Sequence, residues 1–197
     1  MVGSAISDTA TGRTRLLNAL IEHLATQGLG DTSLRGLAEA VGTSHRMLIY
    51  HFHTKGRLLT AVVQAVEQRQ RAVLADLAAD SQSDLAELAR AFWQRLTDPQ
   101  LAGLERLFFE LYGQALRGSP WAQGLLPQAI DSWLVPLTEL LRQRGGIPEE
   151  LAAARARLAL AQTRGLLLDL LATGQREAVD AAYEIGLRAL LEPAAPA

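Results

Sequence analysis

Residues 32–59, TSLRGLAEAVGTSHRMLIYHFHTKGRLL, decide how the chain is read. Leu34, Leu37, Ala38 and Val41 recur at helical spacing, which gives a first short helix one apolar face. Gly42 follows where a helix C-terminus favours a residue that tolerates positive φ. Thr43 or Ser44 then offers a hydroxyl N-cap to a second short helix, about 44–51. That helix turns Leu48, Ile49 and Phe52 inward and leaves His45, Arg46, Met47 and Tyr50 facing outward. Two short helices joined by a tight turn, the second polar and aromatic on its outer face, make a shape that fits the DNA major groove. The pattern breaks at His53-Thr54, where Thr54 is placed to cap a long fourth helix.

This segment resembles the N-terminal DNA-binding domain of TetR-type transcriptional regulators. The resemblance rests on Thr32, Ser33, Leu34, Leu37 and Ala38, then Gly42, Thr43 and Ser44, then Leu48, Ile49, Tyr50, His51, Phe52, Lys55, Leu58 and Leu59. It covers about 13–62, a quarter of the chain; beyond that only length and helical pattern agree. Ile49 departs from the family, which usually has a phosphate-contacting Tyr there, so that contact is lost or moves to Tyr50. His45, Arg46 and Met47 are unusual at the base-reading positions, so no operator sequence carries over from relatives.

Composition bounds the rest. The 197 residues are rich in Ala and Leu, poor in aromatics and without any strand-like alternation, which favours an all-α fold. Cysteine is absent, which excludes disulfides, Cys-ligated zinc and thiol catalysis. No signal-peptide core or bilayer-length apolar run occurs, because Asp169 breaks the apolar stretch 165–174; a cytoplasmic protein without membrane contact is expected. The net charge is −2, unevenly spread. Residues 1–60 hold six Lys or Arg against four Asp or Glu and all four His, so positive charge gathers where DNA contacts would be made. Lys55 is the only lysine, and the resemblance gives it a phosphate-binding role.

Along the chain, residues 1–12 are expected to be disordered, 13–56 to form a three-helix DNA-binding head, 57–192 an effector-binding and dimerisation body, and 193–197 a disordered tail. The head's first helix, 13–27, places Leu16, Leu17, Leu20, Ile21 and Leu24 on one face and stops at Gly28. The fourth helix runs to about residue 80, and the resemblance implies that it carries ligand-induced motion to the DNA-reading end. Five further helices are expected: 84–96; one capped by Asp98 with Pro99 in its first turn; one opened by Ser119-Pro120 and reaching 144; one opened by Pro148 and ending at Gly174; and 177–191. Nine helices in all is the TetR-type architecture.

The candidate DNA contacts are Thr43, Ser44, His45, Arg46, Met47, Tyr50, His51 and Lys55. Arg46 can pair bidentately with guanine O6 and N7, and Met47 can pack on a thymine methyl. Tyr50, His51, Thr43 and Lys55 suit phosphates, which fix register and carry little sequence information. For His51 two roles stay open, a phosphate contact or a place at the helix end and in the head's core. No metal is expected: His45, His51 and His53 have no Cys or nearby carboxylate to complete a ligand set. No cofactor and no catalysis are expected either, since nucleophile elbow, P-loop, HExxH and dinucleotide fingerprint are all missing.

In the body, Phe92, Trp93, Phe108, Phe109, Tyr112, Trp121 and Trp133 fall on three helices that, with the fourth, enclose the ligand cavity in similar proteins. Each also fits plain core packing. Gln162 and Asp169, with Glu110 and Gln114, are candidate polar handles, and Asp169 equally suits the solvent side of an amphipathic helix. A small apolar or aromatic effector is expected. Leu158, Ala161, Gly165 and Leu168 form one small-residue stripe and Ala182, Ile185, Gly186 and Ala189 another, the candidate homodimer interface. The expectation is a homodimeric repressor released from a palindromic double-stranded DNA operator by that effector. A DNA-binding regulator without ligand response and an all-α small-molecule-binding protein stand as alternatives.

Overall fold

The computed structural model describes residues 2–30, 32–79 and 83–192, with backbone alone for 2–10. The expected tail at 193–197 lies outside the described residues. Nine α-helices are present among the described residues, with no strand: α1 (Val2–Gln27), α2 (Leu34–Ala40), α3 (His45–Phe52), α4 (Lys55–Ala79), α5 (Leu85–Leu96), α6 (Ala102–Leu116), α7 (Leu125–Gln143), α8 (Glu149–Thr173) and α9 (Arg176–Leu191). Helix α1 begins well before residue 13, inside the stretch expected to be disordered. No described helix is long and apolar enough to cross a membrane.

Most boundaries follow from local chemistry. Ser33 caps α2 by accepting from the Gly36 amide, and Ser44 caps α3 by accepting from the Met47 amide, both at 3.2 Å. Asp84 and Glu87 exchange bonds between side chain and backbone at 2.7 and 3.2 Å, a capping box that starts α5. Gly174, at φ 69°, ends α8 in the left-handed conformation that glycine tolerates best. Two expected starts are corrected. Pro99 and Pro120 each begin a short 3-10 turn, Pro99–Leu101 and Pro120–Ala122, rather than the α-helix itself. Helix α6 starts at Ala102 after Leu101, which makes no side-chain cap bond, so Asp98 is not its cap; α7 starts only after Gly124.

The chain forms two compact units. The first unit comprises the residues up to Glu67 together with Gln100–Leu126. Its core gathers Leu20, Ile21 and Leu24 of α1, Leu37, Leu48 and Phe52 of the two short helices, Leu58, Val62 and Val66 of α4, and Leu107, Phe108 and Leu111 of α6. Helix α6 approaches α1 so closely that a side chain at Gly103 would press into the Ala25 carbonyl. The second unit comprises Gln68–Pro99 and the residues from Pro127 onward. One of its clusters joins Leu74, Leu88 and Trp133; another joins Leu141, Ile147, Ala152, Ala156 and Leu190. Bonds that run across α5 and α9 reinforce it. Trp93 Nε1 donates to Asp180 at 2.7 Å, Arg90 grips Glu184 at 2.8 and 3.1 Å, and Arg176 reaches the Thr97 carbonyl at 2.7 Å.

Candidate functional site

Helix α3 is held by two side chains, Leu48 and Phe52, four residues apart and both buried in the first unit's core. Arg13 reinforces that seat, its guanidinium lying 5.1 Å from the centre of the Phe52 ring. The remaining arc of α3 is left to solvent: His45 and Arg46 are exposed, with Met47 at 42% and Tyr50 at 60%. Ile49, expected inward, is 39% exposed. The helical wheel explains the correction, because at about 100° per residue the arc centred on Leu48 and Phe52 leaves Ile49 on its flank. Two anchors were enough to fix an eight-residue helix.

Thr43 is half-buried in the turn between α2 and α3, and the Ser44 hydroxyl is engaged as the α3 cap. His51 is half-buried, its ring edge-on to Tyr50 with centroids 4.9 Å apart, a position compatible with both roles the sequence leaves open. Between α3 and α4 the chain reverses through His53, at φ 64° and ψ −53°. The Thr54 amide donates to the Phe52 carbonyl at 2.7 Å, closing a γ-turn of the rare, strained kind. Thr54 then caps α4 as expected, accepting from the Arg57 amide at 3.1 Å. Lys55, half-buried, is the first residue of α4, at the helix end whose dipole favours anions.

A solvent-facing α3, seated by α1 and α2 and followed by a capped α4 carrying Lys55, has the form of a DNA-reading head. The family profile described as bacterial regulatory proteins, tetR family, matches residues 16–62, which span the described part of that head from within α1 into α4.

The chain carries a TetR-type DNA-reading head.

It is a DNA-binding transcriptional regulator, with the helix-turn-helix at 34–52 as its DNA-reading motif. Solved structures resemble the chain over nearly its whole length. A Rhodococcus sp. Rha1 transcriptional regulator is 24% identical, covering 91% of this chain and 95% of its own, with a TM-score of 0.76. Salmonella enterica GusR is 22% identical, covering 91% and 94%, with a TM-score of 0.72. The multidrug binding protein EbrR, complexed with imidazole, is 27% identical, covering 93% and 96%, with a TM-score of 0.68. No protein of curated function matches the chain.

The expected effector aromatics divide between the units. Phe108, Phe109 and Tyr112 of α6 form one cluster in the first unit, with Phe108 centroids 5.3 and 5.6 Å from the other two rings. Trp121 packs against α4 in the same unit, where its carbonyl accepts from the Thr60 hydroxyl at 3.1 Å. In the second unit, Phe92 and Trp133 lie 5.9 Å apart, and the Arg71 guanidinium stands 5.9 Å from the Trp133 ring centre. Trp93 stacks on Tyr183 at 4.4 Å and spends its N–H on Asp180, a structural duty. Of the polar handles, Glu110 accepts from the Leu29 amide at 3.2 Å, and Asp169 is exposed on α8. Gln162 lies against Gly186, its Nε2 donating weakly to the Tyr183 carbonyl at 3.5 Å. Two acids, Glu67 and Glu105, are buried although nothing in their spacing sets them apart, because each sits at a core position of its helix.

The expected interface stripes are largely open. Leu158, Ala161, Gly165 and Leu168 are exposed on α8, as are Ala182, Ile185 and Ala189 on α9. Gly186 is the exception, half-buried under the Gln162 side chain, so its smallness serves the packing of α8 on α9 within the chain. No group of three or more His, Cys, Asp or Glu side chains able to hold a metal occurs among the described residues.

Proposed function

We propose that this regulator is a homodimeric repressor that binds a palindromic operator and is released by a small apolar or aromatic ligand. The observation that carries the reading is the exposed arc of α3, with Arg46, Met47 and Tyr50 facing solvent from a helix whose opposite side is fixed in the core. Arg46 reads guanine, Met47 a thymine methyl, and Thr43, Tyr50, His51 and Lys55 take phosphates. Ser44 and His45 complete the contact surface at the α3 N-terminus. Two heads related by a two-fold axis read inverted half-sites about one helical turn or more apart.

Dimerisation draws support from the exposed leucines and small residues of α8 and α9. Leu158, Leu168 and Ile185 are large apolar side chains left at least half in solvent, which a second copy would cover. For effector control, support comes from EbrR, a multidrug binding protein by its description, and from NalD of Pseudomonas aeruginosa, a repressor of a multidrug efflux pump at 21% identity. The partly buried aromatics Phe109, Tyr112 and Trp121 of the first unit are the first lining candidates. The ligand releases DNA only by binding the non-DNA state more tightly, and DNA weakens ligand binding by the same factor.

Selection of bound duplexes from a random-sequence pool at about 150 mM salt tests the reading, because counterion release suppresses non-specific binding there. One recovered palindrome is the expected result, followed by its release on titration with aromatic compounds, imidazole among them. Recovery of unrelated sequences would overturn it.

A further inference from the structure

We infer that this regulator identifies its operator partly through thymine methyl groups, held by Ile49 and Met47 on the two flanks of α3. The inference deepens the proposed DNA-binding function and rests on it. At about 100° per residue, the exposed arc of α3 runs in order His45, Ile49, Arg46, Tyr50, Met47, with His45 in the helix's first turn. Arg46 and Tyr50 therefore hold its centre, and the two aliphatic side chains flank that pair on opposite sides. Both are substantially exposed, Met47 at 42% and Ile49 at 39%.

Ile49 has no atom that donates or accepts a hydrogen bond, so it can address neither a phosphate oxygen nor a base heteroatom. What it gains from DNA is removal of apolar surface from water. The major groove offers one apolar group for that purpose, the C5 methyl of thymine. That methyl lies at the pyrimidine end of each base-pair edge, toward the margin of the groove floor. A helix whose middle is occupied by Arg46 and Tyr50 brings its flanking side chains to those margins. Met47, unbranched and adaptable, suits the same task on the other side. The α3 surface is thus apolar, polar, apolar across the groove. It matches a half-site with thymines on both strands around a central pair read by Arg46.

Replacing thymine by deoxyuridine removes the methyl and leaves pairing and phosphate charge intact, which makes the duplex itself the probe. In the duplex recovered by selection, each thymine is replaced in turn and the Kd measured for the full-length chain. A loss of about fourfold per methyl is expected at one or more thymines of each half-site, with no change in the salt dependence of binding. In Ile49→Ala and Met47→Ala the loss at the corresponding thymine should vanish, and both variants keep a helix-compatible residue at an exposed position. Full tolerance of uracil by the unmodified chain overturns the inference, as does undiminished sensitivity in both alanine variants. A selected motif without thymine in its half-sites overturns it too. If the pool yields no motif at all, the DNA-binding reading falls with it, a result visible before any uracil is introduced.

Discussion

The amide of Leu29 donates a hydrogen bond to Glu110 Oε2 at 3.2 Å, joining residues 81 apart in sequence. Leu29 is buried just beyond the end of α1, after Gly28 turns the chain at φ 74°. Its N–H has left the helix ladder and would otherwise go without a partner, a loss that a buried donor feels in full. Helix α6 therefore contributes more to the head than apolar packing; it also satisfies the backbone at the entrance to the helix-turn-helix. Glu110→Ala is expected to cost about 1–2 kcal/mol in urea unfolding, and Glu110→Gln, which keeps an acceptor, to recover most of it. Equal losses for both variants would show that the bond contributes nothing.

Two glycines on long helices should respond to alanine in opposite directions. A side chain at Gly103 would enter the space of the Ala25 carbonyl, a backbone atom that cannot swing aside. Gly103→Ala is expected to destabilise by about 1–3 kcal/mol through overpacking. Gly165 has nothing within 4 Å of an added side chain. Gly165→Ala should accordingly stabilise α8 by roughly 1 kcal/mol through helix propensity alone. If α8 is the dimer face, Gly165→Trp should shift sedimentation toward monomer while leaving the helical circular dichroism intact.

The helix-turn-helix was legible because its signals are local. Ser33, Ser44 and Thr54 fall at cap positions, and the leucine spacing of α1 to α4 names the buried face before any coordinate is known. Ile49 was misplaced because an eight-residue helix has too few turns for spacing to separate core from flank. The proline-led starts of α6 and α7 were misplaced because Pro suits a 3-10 turn as well as a first α-turn. Least legible were partnerships between distant segments. Nothing local in the sequence says that Glu110 serves Leu29, that Trp93 gives its N–H to Asp180, or that Gln162 covers Gly186. Those pairings depend on how helices pack rather than on periodicity.

Tyr183 links that packing to pH. Its ring stacks on Trp93 and its hydroxyl donates to the Ala89 carbonyl at 2.9 Å. Burial pushes the phenol well above its ordinary value of 10.0, and the nearby Glu184 adds to the rise while Arg90 opposes it. The folded chain therefore holds the phenolic proton more tightly than the unfolded chain does. The associated stability is fully present below the unfolded value and is lost as pH rises beyond it toward the folded value. Urea midpoints should stay level for this group up to about pH 9 and fall above about pH 10. Tyr183→Phe should cost about 1 kcal/mol at neutral pH for the lost hydrogen bond and flatten the alkaline decline. An unchanged alkaline limb would assign that decline to other groups.

Arg46 and Lys55 should separate the two components of DNA binding. Arg46 is exposed on α3, whereas Lys55 opens α4 beyond the His53 turn. If Arg46 reads guanine, Arg46→Ala costs about 1–3 kcal/mol on the selected operator and much less on duplexes altered at that base pair. If Lys55 neutralises a phosphate, Lys55→Ala weakens binding to every duplex alike and lowers the slope of log Kd against log salt by about one. Both variants are measured on the same matched and mismatched duplexes across a salt series. Equal effects on all sequences would show that neither residue reads a base, and an unchanged slope for Lys55→Ala would remove the phosphate contact from α4.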